Sequence, residues 1–89
     1  MKNTETPPSA RVIFGQNVRR VRRLKEMSQE ELAFRADISR TYLSEVERGD
    51  RNISVDNMEA LAQALEMELP DLLRQTLLSL PSEEVRSPD

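Results

Sequence analysis

Apolar residues recur along this chain at helical spacing, in five separate stretches. Between about Ala10 and Glu26, Phe14, Val18 and Val21 fall four and three residues apart, which predicts a first amphipathic helix with one buried stripe. Leu32, Ala33 and Ala36 mark a second helix over Gln29–Ala36. Leu43 and Val46, joined by Ile38, mark the inward side of a third over Arg40–Arg48. Met58, Leu61, Ala62 and Leu65 give a fourth helix its core face. Pro70 suits the first turn of a fifth, where its missing amide costs nothing. Leu72, Leu73, Thr76, Leu77 and Leu80 would line one side of that helix, with Leu78 widening the stripe. The expectation is an all-α fold of five helices.

The polar residues between these stretches supply the punctuation. Ser28-Gln29-Glu30-Glu31 reads as a capping box, in which the serine and the third residue of the helix satisfy each other's unpaired amides. Asp37-Ile38 is a break, Ser39 offers a new N-cap, and Gly49 is placed as a left-handed stop before a loop through Ile53. Ser54 caps the fourth helix, with Asp56 and Glu59 near its positive end. Two short helices joined by three or four residues cross steeply and need a small residue at the crossing, which Ala33 supplies. Gln29 to Arg48 is thus predicted to form a helix-turn-helix. Ile38, Leu43 and Val46 face inward, and Arg40, Thr41, Ser44 and Glu45 form an outward row of hydrogen-bonding groups suited to base edges. Residues 1–9 are expected to be a flexible arm, 10–80 one domain for binding and dimerisation, and 81–89 a flexible acidic tail.

Composition removes most rival chemistries. The chain has 89 residues with no cysteine and no histidine. Disulfides, thiol nucleophiles, zinc fingers and most transition-metal sites are excluded, along with the commonest general base. Gly15 and Gly49 are the only glycines, so there is no glycine-rich phosphate loop, and an enzyme is not expected. No cofactor, metal or small-molecule effector is implied. No apolar run approaches the roughly 20 residues that span a bilayer, and Met1 to Ser9 lacks a signal peptide's apolar core, so a cytoplasmic protein without membrane partners is expected. The net charge of −3 looks unpromising for binding nucleic acid until it is divided. Residues 1–52 hold eleven basic and eight acidic side chains, and residues 53–89 hold two and eight. Six basic residues and no acidic one lie between Arg11 and Lys25. Affinity for phosphates follows the local field, not the molecular sum, although such a run also suits a merely solvated helix face.

The stretch from Phe14 to Leu73 resembles the Cro/C1-type (XRE) family of helix-turn-helix regulators. The resemblance rests on Val21-Arg22, Lys25, Met27 to Ala33, Ser39 to Ser44, Glu47-Arg48-Gly49 and Leu61 to Leu65. Within that family, Arg40-Thr41-Tyr42 followed by Glu47-Arg48 and Arg51-Asn52 looks closest to restriction–modification controller proteins. The resemblance implies a lambda-repressor-like domain and a homodimer on a palindromic operator of double-stranded DNA. Residues 39–48 would lie in the major groove. It also implies that Gln29 holds a DNA phosphate, that Arg40, Thr41, Ser44 and Glu45 face bases, and that Arg22 and Glu47 tie the first helix to the recognition helix. One departure is Asp37 where the family usually has glycine. Aspartate tolerates the left-handed conformation better than most residues.

Several candidates carry two readings. Arg40 can fork on to guanine O6 and N7 or hold a phosphate. Glu45 belongs beside DNA only if it accepts from cytosine N4 or orients Arg40 or Arg48; otherwise it is an ordinary exposed acid. Tyr42, Arg48, Arg51 and Asn52 are placed for phosphates, with minor-groove insertion a variant for Arg51 and a structural role open for Tyr42. Leu73, Leu77, Leu78 and Leu80 exceed what one packing face requires, which suits either a dimer interface or a wide core stripe. Two other functions compete with a transcriptional regulator: an antitoxin, and a protein-interaction module built on the fifth helix.

Overall fold

Serine begins four of the five helices. The computed structural model describes residues 8–75. In it α1 spans Ala10–Leu24, α2 Gln29–Ala36, α3 Arg40–Glu47, α4 Val55–Ala64 and α5 Leu69–Leu72. Ser9, Ser28, Ser39 and Ser54 adopt extended backbone, and each hydroxyl accepts from the amide three residues on, at 3.4, 3.0, 3.0 and 3.1 Å. Each cap satisfies one of the amides that a helix start leaves unpaired, a contribution of about 1 kcal/mol. Ser9, expected in the flexible arm, is one of the four.

The helix ends share a second device. Glu26, Asp37, Gly49 and Glu66 all have positive φ, between 57° and 78°. The residue after each donates its amide back across the last turn: Met27 to Arg22, Ile38 to Ala33, Asp50 to Glu45 and Met67 to Ala62, at 2.9–3.0 Å. This left-handed stop satisfies helix-end carbonyls and folds the following side chain inward. Met27 is buried by it, and Ile38 and Met67 pack on the core. Because Glu26 takes this conformation, α1 closes at Leu24 and not at Glu26 as its periodicity suggested. Asp37, at φ 60°, fills the position where glycine was the expectation.

The core is assembled from all five helices: Phe14 and Val18 of α1, Leu32 of α2, Leu43 of α3, Leu61 of α4 and Leu72 of α5 are fully buried. α1 packs on α3 and α5, α2 on α3 and α4, and α4 on α5. Ala33 is buried in α2, which packs against α3. A tighter contact lies between α1 and α3. A Cβ added to Gly15 would stand 2.1 Å from the Val46 carbonyl oxygen and 3.1 Å from that of Glu47. Only glycine lets the helices approach this closely, which outweighs the roughly 1 kcal/mol that a mid-helix glycine costs.

The fifth helix departs from expectation. Among the described residues it stops at Leu72, and Leu73 forms its C-cap. Asn17, completely buried in α1, donates from Nδ2 to the carbonyls of Leu72 (2.8 Å) and Arg74 (3.0 Å). These bonds satisfy two carbonyls that the end of α5 leaves without a helical partner. Leu72 enters the core, whereas Leu73 is 37% exposed, so the two are not one stripe. Leu77, Leu78 and Leu80 lie outside the described residues. No helix among those described is long and apolar enough to cross a membrane.

Candidate nucleic-acid interface

The α1–α3 contact at Gly15 aligns a face of α1 with α3. Gly15, Val18 and Arg22 lie three and four residues apart, so Arg22 reaches α3 two turns further along. There it meets Glu47. Arg22 donates from Nε to Glu47 Oε2 at 2.7 Å and from Nη2 to Oε1 at 3.1 Å. Its Nη1 donates to the Met27 carbonyl at 2.9 Å, pinning the turn between α1 and α2. The two side chains are 10% and 3% exposed. A fork-on-fork pair of this kind fixes orientation as well as distance, so α3 cannot roll about its axis without breaking it.

The network continues outward. Gln29, the first residue of α2, donates from Nε2 to Glu47 Oε1 at 3.0 Å. That sets its amide so that Oε1 accepts from Arg40 Nη1 at 3.3 Å. Arg40, at the first position of α3, is also 3.8 Å from Glu30. A continuous chain of hydrogen bonds thus runs from the interior to the exposed first turn of α3. Thr41 is exposed beside Arg40, and Ser44 and Glu45 are half-buried one turn on.

A groove opens between α1, the start of α2 and α3. Arg19 and Arg23 line one side, Gln29 lies at the α2 end, and Ser44 and Arg48 line the other side above the Arg22–Glu47 pair. Glu47 contributes little negative potential here because Arg22 neutralises it. Glu30 also lines the groove, 3.8 Å from Arg40, and Arg48 is paired with Asp50. Arg19, Arg23 and the positive end of α2 supply the remaining positive field, which favours an anion. The basic run therefore divides by position: Arg22 is structural, Arg19 and Arg23 face the groove, and Lys25 comes within 4.0 Å of Glu66. Arg19 and Arg23 were not singled out from sequence. Their signal was a four-residue spacing that places both on one side of α1.

At the other end of α3, Arg48 donates to Ser44 Oγ at 2.9 Å and pairs with Asp50 at 3.1 Å. Arg51 lies with its guanidinium carbon 4.9 Å from the centre of the Tyr42 ring. Its Nε donates to Glu45 Oε1 at 2.9 Å. Glu45 thus engages neither Arg40 nor Arg48, the two arginines expected for it. The Tyr42 hydroxyl accepts from Asn57 Nδ2 at 3.2 Å, tying α3 to the start of α4. Asn52 is exposed in the intervening loop. Asn57 was invisible as a partner because the bond joins residues fifteen apart across that loop.

Several known proteins are similar to this chain in sequence and fold. A helix-turn-helix family model matches residues 18–72. Control protein C.BamHI of Bacillus amyloliquefaciens is 51% identical over 69 residues, covering 76% of this chain and 85% of that protein. Control protein C.SmaI of Serratia marcescens is 41% identical over 61 residues, covering 68% and 73%. Among solved structures, the restriction-modification controller protein C.AhdI from Aeromonas hydrophila matches with a TM-score of 0.68 at 47% identity, covering 70% of this chain and 94% of that one.

Proposed function

The chain belongs to the XRE-type helix-turn-helix family of DNA-binding transcription regulators, and from that premise we propose that it binds a palindromic operator as a homodimer and acts as a restriction–modification controller. Residues 39–48 enter the major groove. Arg40 and Thr41, on the exposed first turn, meet base edges, and Ser44 follows one turn later. Gln29 and the groove arginines Arg19, Arg23 and Arg48 take the phosphates on one flank. Tyr42, Arg51 and Asn52 lie at the other end, within reach of the backbone and the minor groove.

The observation that carries this reading is the hydrogen-bonded chain Arg22–Glu47–Gln29–Arg40. It holds an exposed arginine in a set direction from a buried anchor, and base reading needs such a fixed direction. The dimer is supported by Leu73, exposed beside the end of α5, and by the further leucines at 77, 78 and 80. A symmetric pair would set its recognition helices about 34 Å apart, one turn of DNA. The chain acts in the cytoplasm on double-stranded DNA, with no cofactor or small-molecule effector. Selection from random duplexes, followed by footprinting upstream of the chain's own gene, tests the reading. Two inverted half-sites about ten base pairs apart are expected; a single asymmetric site would contradict the dimer, and no enriched sequence would contradict the regulator.

A further inference from the structure

Glu45 is out of place on a surface meant for phosphates, unless its charge is used. It is half-buried on α3, and its Oε1 accepts from Arg51 Nε at 2.9 Å. The Tyr42 ring lies 4.9 Å from the same guanidinium, and Asn57 Nδ2 donates to the Tyr42 hydroxyl from α4. The backbone closes the arrangement, because the Glu45 carbonyl accepts from Asp50 at 2.9 Å and so shapes the loop that carries Arg51.

We propose that Glu45 is a positioning residue for Arg51, making Arg51 a sequence-discriminating contact and not merely a phosphate contact. The carboxylate takes only the Nε edge. Among the described residues both terminal nitrogens remain without a protein acceptor, and they form the edge that forks on to paired acceptors. A phosphate accepts from many directions, so a flexible arginine serves it well. Base edges demand one orientation, and an arginine already held by a carboxylate and a ring loses little freedom in meeting it. The ligand class is the acceptor atoms of base pairs beyond the end of α3, in either groove.

This inference rests on the DNA-binding reading, and it predicts a sign that simple electrostatics does not. Glu45→Gln removes a negative charge near DNA, which by charge alone tightens binding to any sequence. Positioning predicts the reverse for the right sequence. The experiment compares wild type and Glu45→Gln on a duplex that the wild-type chain selects from a random pool, and on unrelated duplex. The expected result is about tenfold weaker binding to the selected duplex, the scale of one hydrogen bond to a charged group, with random binding unchanged or tighter. In an Arg51→Ala background the same substitution should cease to weaken selected binding, because nothing is left to position. The Glu45–Arg51 pair is partly exposed, so the variants should fold, and melting curves check this. Equal tightening of both duplexes by Glu45→Gln overturns the proposal alone. Failure of the wild-type chain to select any sequence overturns it together with the regulator reading.

Discussion

Replacing Glu47 by alanine should damage stability and DNA binding together. The substitution removes both acceptors of the Arg22 fork and the acceptor of Gln29 Nε2. Arg22 keeps only the Met27 carbonyl and stays buried. An exposed pair would contribute about 0–1 kcal/mol, but stranding one member of a buried pair costs roughly 3–5 kcal/mol. Burial decides between those figures here, with the side chains 10% and 3% exposed. A chain of this length has roughly 4–13 kcal/mol of stability in total. A loss of that size corresponds to at least about 12 °C in melting temperature. Circular dichroism melts of wild type and Glu47→Ala measure it directly. The double variant Arg22→Met with Glu47→Met is the control, since apolar replacement of both partners of a buried pair is often neutral or stabilising. It should melt near wild type while still losing DNA affinity, because Gln29 and Arg40 are no longer anchored. A melting temperature unmoved by Glu47→Ala would refute the reasoning.

Gly15→Ala should cost at least about 2 kcal/mol in urea unfolding, because the new methyl meets backbone, which cannot swing aside; an unchanged midpoint would mean that α1 and α3 separate freely. Glu66→Gly, at φ 59°, should raise stability by up to about 1 kcal/mol by relieving a left-handed non-glycine residue, and a lower melting temperature would contradict that. Leu73→Asp should leave the exposed-site monomer folded but shift sedimentation at micromolar concentration from two chains to one. A wild-type monomer there would remove the proposed dimer.

What could be seen in the sequence was whatever is decided locally. Ser28, Ser39 and Ser54 cap their helices through a residue three positions away, so helix starts were readable from a few letters. The stops at Glu26 and Glu66 were not, since glutamate in the left-handed region follows no residue preference and is imposed by Met27 and Met67 docking on the core. The end of α5 at Leu72 was not readable locally, and the carbonyls there are taken by Asn17, fifty-five residues away from Leu72. Asn17 did leave a trace: a polar residue within the apolar stripe of Phe14, Val18 and Val21. Gly15 left one too, as a glycine inside a helical pattern. The exposed row on α3 followed from periodicity, whereas the pairing of Glu45 with Arg51 depended on how the loop after Gly49 folds back.

Arg40→Ala, tested by competition between the selected duplex and random DNA, bears most directly on the claim that the first turn of α3 reads sequence. The account predicts a loss of about 1–3 kcal/mol on the selected duplex and much less on random DNA, since a base contact is removed and the phosphates are common to both. Equal loss on both duplexes would make Arg40 a phosphate clamp and contradict the account.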